Sequence, residues 1–180
     1  YSGDGTVFRI SPTGVFTNLH SFVSNPTDGS KPRSGLIEGS DGNFYGVTPN
    51  GGQFDNGAVY RISPSGNVTI LYSFNITDGL NPLCNLVQGS DGNFYGATNS
   101  GGTSTNCVSA GCGTVFRLNI VTITTPKSLP TGFVGSSYNQ PLTSTGGTPP
   151  YTWSVVGGSL PSGLELVVSG GPLAPSQVSR

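Results

Sequence analysis

The sequence predicts an all-β protein, and three observations lead to that prediction. Two peptide blocks recur about fifty residues apart: GTVFRISPTG at residues 5–14 returns as GAVYRISPSG at residues 57–66, and GSDGNFYG occurs at residues 39–46 and 89–96. The 180 residues include 29 Gly and 14 Pro but no Met, and no window has the composition of a long helix. Asp-Gly pairs stand between runs of Val, Ile, Phe and Tyr, which is typical of tight hairpins.

Each copy of the repeat is predicted to contain four antiparallel strands. In the complete copy they cover residues 35–39, 43–48, 58–63 and 67–74. Asp41 and Gly42 form the turn between the first two strands, and Pro64 comes where the third strand ends and a missing N–H is tolerated. A recurring unit of four short strands is typical of a β-propeller blade, so the sequence predicts propeller-like repeats.

The number of strands predicts an incomplete propeller. Residues 5–22 supply the last two strands of one copy, residues 35–74 a whole copy, and residues 84–120 the first three strands of another. These segments make about two and a quarter blades, whereas a closed propeller needs about 4–8. We therefore expect unpaired strand edges, which pair readily with other chains.

A second kind of segment follows from near residue 120. Strand-like pieces at residues 137–145 and 151–156 flank the turn GGTPP, as in the front half of a small Ig-like β-sandwich with Trp153 in its core. We expect the end of the chain to be disordered or unrelated to this sandwich. The predicted domains are propeller-like repeats over residues 1–120, an incomplete Ig-like sandwich over residues 121–169, and a tail over residues 170–180.

Composition excludes several partners. Only 8% of the residues are charged and the net charge is −1, so there is no basic field to hold nucleic acid or an anionic membrane. No apolar run approaches the roughly 20 residues of a membrane span. The chain starts at Tyr1 without an apolar leader, so we expect any secretion signal or anchor to lie outside it. No cofactor is predicted.

The three cysteines indicate an oxidising environment. The loop CVSAGC predicts a disulfide between Cys107 and Cys112, which implies an extracytoplasmic setting. Cys84 is left over; it takes the repeat position of Ser34, so we expect a small, half-buried residue there. A CxxxxC pair in a chain with one histidine is a poor zinc site.

The repeated SDGN turns contain Asp41 and Gly42 in one copy and Asp91 and Gly92 in the next. A carboxylate at this position can accept the N–H groups of its own loop. The alternative is a calcium site built from Asp and Asn oxygens. Because each loop offers one certain carboxylate, we favour the structural turn.

Three arginines, Arg9, Arg61 and Arg117, occupy one repeated strand position, and Asp28 and Asp78 occupy another. A partly buried Arg needs a carboxylate or carbonyl partner, so we predict Arg–Asp bonds within or between blades. The alternative is a row of arginines that binds an anionic glycan.

Tyr45 and Tyr95 belong to repeated Phe-Tyr pairs. Alternation along a strand directs the two rings of each pair to opposite faces, and packing between blades is the favoured role. The alternative is that an exposed tyrosine stacks on a sugar ring. These two tyrosines and the three arginines are the ligand-binding candidates.

No catalytic residue is predicted. His20 aligns with a tyrosine in the next copy, which indicates a packing position, and no serine stands in a GxSxG elbow. A carboxylate pair of Glu38 with Asp41 or Asp55 would suit polysaccharide hydrolysis, but Gln88 replaces Glu38 in the next copy.

Taken together, the blocks GTVFRISPTG, TDG at residues 27–29, GLIEGSDGNFYGVT and GCGTVFRL resemble the GloVer-type tandem repeat of bacterial surface proteins over residues 1 to about 119. The resemblance implies a secreted or cell-surface protein, often with a separate C-terminal anchoring signal, and no general enzymatic activity follows from it. In a bacterial source we expect the NVT and NIT sequences at Asn67 and Asn75 to stay unmodified. The run LPTGFVGSSYNQPLTSTGGTPPYTWSVVGGSLPSGLEL is similar to an Ig-like family of bacterial extracellular proteins, from which the chain departs after Leu166.

Three functions remain open. The favoured one is a non-catalytic extracellular or cell-surface repeat protein with a structural or adhesive role, which self-associates through unpaired β edges. The second is a carbohydrate-binding module that uses exposed aromatic and polar residues of the blade loops. The third is a polysaccharide-directed enzyme with an unrecognised carboxylate pair.

Overall fold

The described part of the chain is all-β, as predicted. The computed structural model describes residues 3–104, 111–123, 139–145, 153, 159–160, 162, 164–167 and 176–179. No helix occurs among these residues, and their strands form several small antiparallel sheets. The chain divides into two compact units: Tyr1–Ser90 with Phe94–Leu118, and Asp91–Asn93 with Asn119–Arg180.

The first unit contains the repeats, and its described strands are β1 to β12. Their bounds are β1 Thr6–Ile10, β2 Phe16–Ser21, β3 Gly29–Ser30, β4 Ile37–Glu38, β5 Phe44–Thr48, β6 Asn50–Gly51, β7 Ala58–Ile62, β8 Val68–Ser73, β9 Leu80–Pro82, β10 Val87–Gln88, β11 Phe94–Ser100 and β12 Val115–Leu118.

The complete copy of the repeat forms one four-stranded antiparallel sheet in the order β4-β5-β7-β8. Its strands lie within the four predicted ranges because Asp-Gly and Ser-Gly turns separate alternating apolar runs. In the central pair, Phe44 lies opposite Ile62 and Gly46 lies opposite Tyr60. Strands β5 and β7 are the most buried of the four, since sheet neighbours flank both edges of each.

The two partial copies form partial sheets at matching positions. Strands β1 and β2 make an antiparallel pair, and β10, β11 and β12 make a three-stranded path whose β11 also pairs with β9. Short strands β3 and β6 form a separate two-stranded antiparallel sheet. The same hairpin turn recurs between β1 and β2 and between β7 and β8, where the N–H groups of Gly14 and Gly66 donate to the carbonyls of Ser11 and Ser63, each at 2.9 Å.

A hydrophobic core lies where the first copy packs on the second. Its buried members are Val7, Phe22, Tyr60 and Ile62, and partly buried Leu19, Phe44, Val68 and Ile70 pack against it. Because a single thin sheet exposes both of its faces, each copy buries apolar side chains only when another copy covers it.

The second unit contains β13 Thr122–Ile123, β14 Asn139–Leu142, β15 Ser144–Thr145, β16 Glu165–Val167 and β17 Ser176–Ser179. Strand β13 pairs with β15, and β17 lies between β14 and β16. The expectation of an unrelated or disordered tail is therefore wrong for the last of these strands, because backbone pairing incorporates it into a sheet. The predicted strand at residues 151–156 lies outside the described residues except for Trp153, which is half-buried.

We predict that Gly46→Ala destabilises the first unit. A Cβ at this position would lie 2.8 Å from the Leu36 side chain and 2.8 Å from the Tyr60 hydroxyl, closer than packed atoms approach. Overpacking of this kind costs about 1–3 kcal/mol of unfolding free energy, measurable by chemical denaturation. The control is Gly3→Ala, where a Cβ meets nothing within 4 Å. Equal midpoints for the two variants would contradict this packing.

Candidate functional site

The SDGN turn uses its aspartate internally. Asp41 Oδ1 accepts the N–H of Asn43 at 3.1 Å, while Oδ2 accepts Asn43 Nδ2 at 2.7 Å and the Tyr45 hydroxyl at 2.9 Å. Burial alone would raise the pKa of Asp41, but these hydrogen bonds outweigh it and lower the pKa below its usual value. In the next copy, Asp91 accepts the same two bonds from Asn93.

Each of these aspartates is used within its own turn. Gly42 and Gly92 follow the aspartates with φ of 76° and 79°, which closes each turn on itself. No cluster of three His, Cys, Asp or Glu side chains suited to a metal ion occurs in the part of the chain that the structure describes.

The tyrosine candidates lie in different environments. Tyr45 is buried, and its ring stacks on Phe94 of the next copy with centroids 4.1 Å apart. Burial, followed by the hydrogen bond to Asp41, raises the pKa of Tyr45 to about 12. The alternative in which Tyr45 binds a sugar is contradicted, because its ring faces are covered by protein. Tyr95 is half-buried and lies opposite Arg117 in the β11–β12 pair.

The predicted Arg–Asp bonds are wrong. Arg61 is half-buried, Arg9 and Arg117 are exposed, and no Arg–Asp ion pair occurs among the described residues. The two repeated aspartates have other partners. Each aspartate lies in the loop that follows the fourth strand of its copy, so its carboxylate reaches that strand. The arginines lie on the third strand.

His20 and Tyr72 are the partners that these aspartates use. His20 Nε2 lies 3.1 Å from Asp28 Oδ2, and the Tyr72 hydroxyl donates to Asp78 Oδ2 at 2.6 Å. The hydrogen bond to Asp78 raises the pKa of Tyr72, and burial adds to the effect. Sequence reasoning missed this pair, although the alignment of His20 with Tyr72 and of Asp28 with Asp78 was a usable signal.

Adjacent copies pack through an edge-on contact between two aromatic rings, and we call this contact the joint between them. Phe22 packs edge-on against Tyr60 of the next copy at a centroid distance of 5.2 Å. Phe74 packs in the same way against Phe116 at 5.0 Å. His20 and Tyr72 in turn pack edge-on against these phenylalanines, so the aspartate bonds position the rings at the joint.

The side chains of strand β1 are more exposed than those of the equivalent strand β7. Tyr60 and Ile62 of β7 are 1% and 0% exposed, whereas Phe8 and Ile10, their counterparts in β1, are 52% and 58% exposed. On its edges β7 pairs with β5 and β8, whereas β1 pairs with β2 alone among the described strands. The first copy therefore presents an unpaired strand edge beside exposed apolar side chains.

A groove continues from this open edge. It has a volume of about 220 Å³ and is lined by Phe8, Arg9, Leu19, Leu36, Phe44 and Pro64. Leu36 is 39% exposed, whereas its counterpart Leu86 is 3% exposed. Phe44 is half-buried, while its counterpart Phe94 is covered by Tyr45. We call the β1 edge together with this groove the open first edge.

The third copy has an open side as well. Val115 at the start of β12 is exposed, although the equivalent Val59 is fully buried. A cavity of about 200 Å³ is lined by residues of the second and third copies: Val59, Tyr72, Phe74, Asp78, Phe116, Arg117 and Leu118.

The sequence profile of one family, described as the Gloeobacter/Verrucomicrobia repeat, matches residues 1–163. The chain belongs to this repeat family. The match extends past residue 120 into the segment for which an Ig-like module is predicted. None of the curated proteins matches the chain. Among the described residues of this Gloeobacter/Verrucomicrobia repeat protein, no helix is long and apolar enough to cross a bilayer.

A polar pocket lies among the loops of these Gloeobacter/Verrucomicrobia repeats. It has a volume of about 420 Å³ and is lined by Ser24, Asn25, Pro26, Gly51, Gly52, Gln53, Phe54 and Asp55. Phe54 is half-exposed, and Asp55 has a φ of 55° while its carboxylate accepts the N–H of Gly51 at 2.8 Å. Glu38, its predicted catalytic partner, is exposed on β4.

The cysteines of the repeats differ in their surroundings. Cys84 is an exposed free thiol, so the expectation of a half-buried residue is wrong, although its Sγ accepts the N–H of Ala97 at 3.0 Å. Ser34 at the equivalent position donates to the carbonyl of Val47 at 3.4 Å. Cys107 lies outside the described residues, and its disulfide with Cys112 stays a prediction.

We predict that His20→Tyr preserves stability, because Tyr72 makes the same contacts in the next copy. His20→Ala removes both the Asp28 bond and the ring contact, and should lower the unfolding free energy by about 1–3 kcal/mol. Thermal or chemical unfolding of the two variants beside the parent chain measures the difference. A tyrosine variant as unstable as the alanine variant would show that the two joints are not equivalent.

Proposed function

We propose that the chain is a non-catalytic, extracellular structural repeat protein that assembles through its unpaired β edges. The open first edge is the observation that supports this most, because the complete copy shows the same positions buried by a neighbouring copy. In this proposal the four-stranded repeats are blades of a propeller-like array, which an Ig-like module follows.

The chemistry of β1 suits strand pairing. Natural edge strands are usually protected by Lys, by Pro or by bulges that turn the edge away. Strand β1 contains neither Lys nor Pro, and Arg9 is its one charged residue. It has a register irregularity at Val7–Phe8, but β7 has one at the equivalent Val59–Tyr60 and still pairs on both edges. An added strand would satisfy the backbone groups of this edge, as in β-augmentation.

The proposed location is the cell surface or the extracellular medium. The low charge of the chain, its Gly-rich short-strand architecture and its membership of the repeat family support a scaffold rather than an enzyme. The carboxylates that a hydrolase would use are either engaged, as Asp41 is by its own turn, or isolated on a strand, as Glu38 is.

We predict that the purified chain forms oligomers whose mass rises with concentration in light scattering. The double variant Phe8→Ser with Ile10→Lys should shift this distribution towards monomer, since it replaces exposed apolar contacts with a hydroxyl and a charge. Its unfolding free energy should change by less than about 1 kcal/mol, because both side chains are half-exposed. Ile76→Lys, at an exposed loop position, is the control. A wild-type chain that is monomeric at high concentration would contradict assembly.

Carbohydrate binding at the polar pocket is the second candidate function. The half-exposed Phe54 ring offers a stacking face, and the neighbouring Gln53 amide can both donate and accept hydrogen bonds. Asp55 adopts a left-handed backbone conformation that non-glycine residues rarely take, and such strain often accompanies binding sites.

We predict that any glycan detected on an array binds at least about tenfold more weakly to Phe54→Ala, because stacking on the ring is lost. Calorimetry with the same glycan measures the change. Phe16→Ala, which removes an exposed ring on β2, is the control. Equal binding by the parent chain and Phe54→Ala would remove this pocket from consideration.

A further inference from the structure

The polar pocket is formed by two loops that meet where the first and second copies adjoin. One loop, residues 23–27, follows the fourth strand of the first copy, and the other, residues 52–57, connects β6 to β7 of the second copy. The N–H of Gly52 donates to the carbonyl of Asp28 at 2.6 Å, and a Cβ on Gly51 would lie 2.7 Å from the backbone of Gly29. Backbone contacts therefore fix the two loops against each other.

The backbone of the second loop recurs in the third copy. Gly51 and Gly52 have φ of 78° and 72°, and their counterparts Gly101 and Gly102 have φ of 79° and 87°. The second glycine of each pair donates its N–H to a carbonyl of the preceding copy, at 2.6 Å and 2.9 Å. The glycines thus determine the shape of this loop in both copies, because they accept positive φ without a steric penalty.

The side chains around the pocket, in contrast, do not recur. Residues 53–55 read QFD, whereas the corresponding residues 103–105 read TST. Five residues separate Phe22 from Asp28 in the first copy, whereas three separate Phe74 from Asp78 in the second. Both departures from the repeat occur at the same pocket. Since the loop backbone is kept without these side chains, they are available to contact a ligand.

The pocket carries negative charge. Asp55 is the one charged residue among those that line it. Its Oδ1 accepts the N–H of Gly51 at 2.8 Å, and its own N–H donates to the carbonyl of Gly52 at 3.3 Å, so two bonds hold the exposed carboxylate in place. A second carboxylate, that of Asp4, accepts the N–H of Ser24 at 3.1 Å. This charge favours a cationic ligand and disfavours an anionic one.

The remaining side chains suit a ring that bears hydroxyl groups. Phe54 is half-exposed and offers an apolar face. The Oδ1 atom of Asn25 accepts the N–H and the hydroxyl of Thr27 at 2.9 Å and 3.0 Å, which orients the amide and leaves its N–H₂ group as a donor. The volume of about 420 Å³ lies within the usual range of small-molecule sites.

We propose that the polar pocket binds an amino sugar. The apolar face of the sugar ring lies on Phe54, the ammonium group pairs with the Asp55 carboxylate, and the hydroxyl groups bond to the amides of Asn25 and Gln53. This inference rests on the carbohydrate binding proposed above as the second function, and it names the class of sugar.

The test measures the binding of three oligosaccharides to the full chain by calorimetry. They are a glucosamine oligomer, its N-acetylated form, which has the same rings without the charge, and a uronic-acid oligomer. At about pH 5.5 amines are protonated and carboxylates are ionised. The glucosamine oligomer should bind at least about tenfold more tightly than the N-acetylated form, and the uronic-acid oligomer should show no binding.

Three variants locate the charge and the ring contact. Asp55→Asn keeps an acceptor for Gly51, tolerates the positive φ and should abolish the preference for the charged oligomer. Glu38→Gln removes an exposed charge on β4 outside the pocket and should retain the preference. Phe54→Ser introduces the residue of the next copy and should weaken binding of both glucosamine oligomers about tenfold. Chemical denaturation of each variant checks that it folds as the parent chain does.

The outcomes separate this inference from the function on which it rests. Equal affinity for the glucosamine oligomer and its N-acetylated form would retain carbohydrate binding and overturn the assignment of an amino sugar. A preference that survives in Asp55→Asn, or that is lost equally in Glu38→Gln, would also overturn it, because the ammonium group would then lie elsewhere. No binding of any oligomer would overturn both the inference and the second function.

Discussion

The structure depends on one contact that recurs between copies of the repeat: an aromatic ring from the last strand of one copy lies edge-on against a ring from the third strand of the next. Phe22 with Tyr60 and Phe74 with Phe116 are its two instances. A four-stranded sheet exposes apolar side chains on both faces, so it needs a neighbour on each face to bury them. Burial of apolar side chains at the joint therefore stabilises both copies, and a copy that lacks one neighbour leaves an apolar face exposed.

Polar bonds hold this joint in place. Asp28 and Asp78 accept hydrogen bonds from His20 and Tyr72, and those side chains contact the joint rings. Asp41 is similarly occupied by its own turn. These three aspartates thus serve the geometry of loops and rings.

The sequence by itself determined the local architecture, because hairpins depend on short-range chemistry. Asp-Gly turns and alternating apolar runs predict the strands between residues 37 and 73, and the repeat predicts which strands are missing from the partial copies. Only the tertiary structure decided which repeated positions meet. The Arg–Asp bonds were wrong and Tyr45 is covered by Phe94, because contacts across a joint depend on how one sheet face lies on the next. The repeat shows which positions of different copies are equivalent. The distances between side chains of neighbouring copies are set by packing in the folded chain.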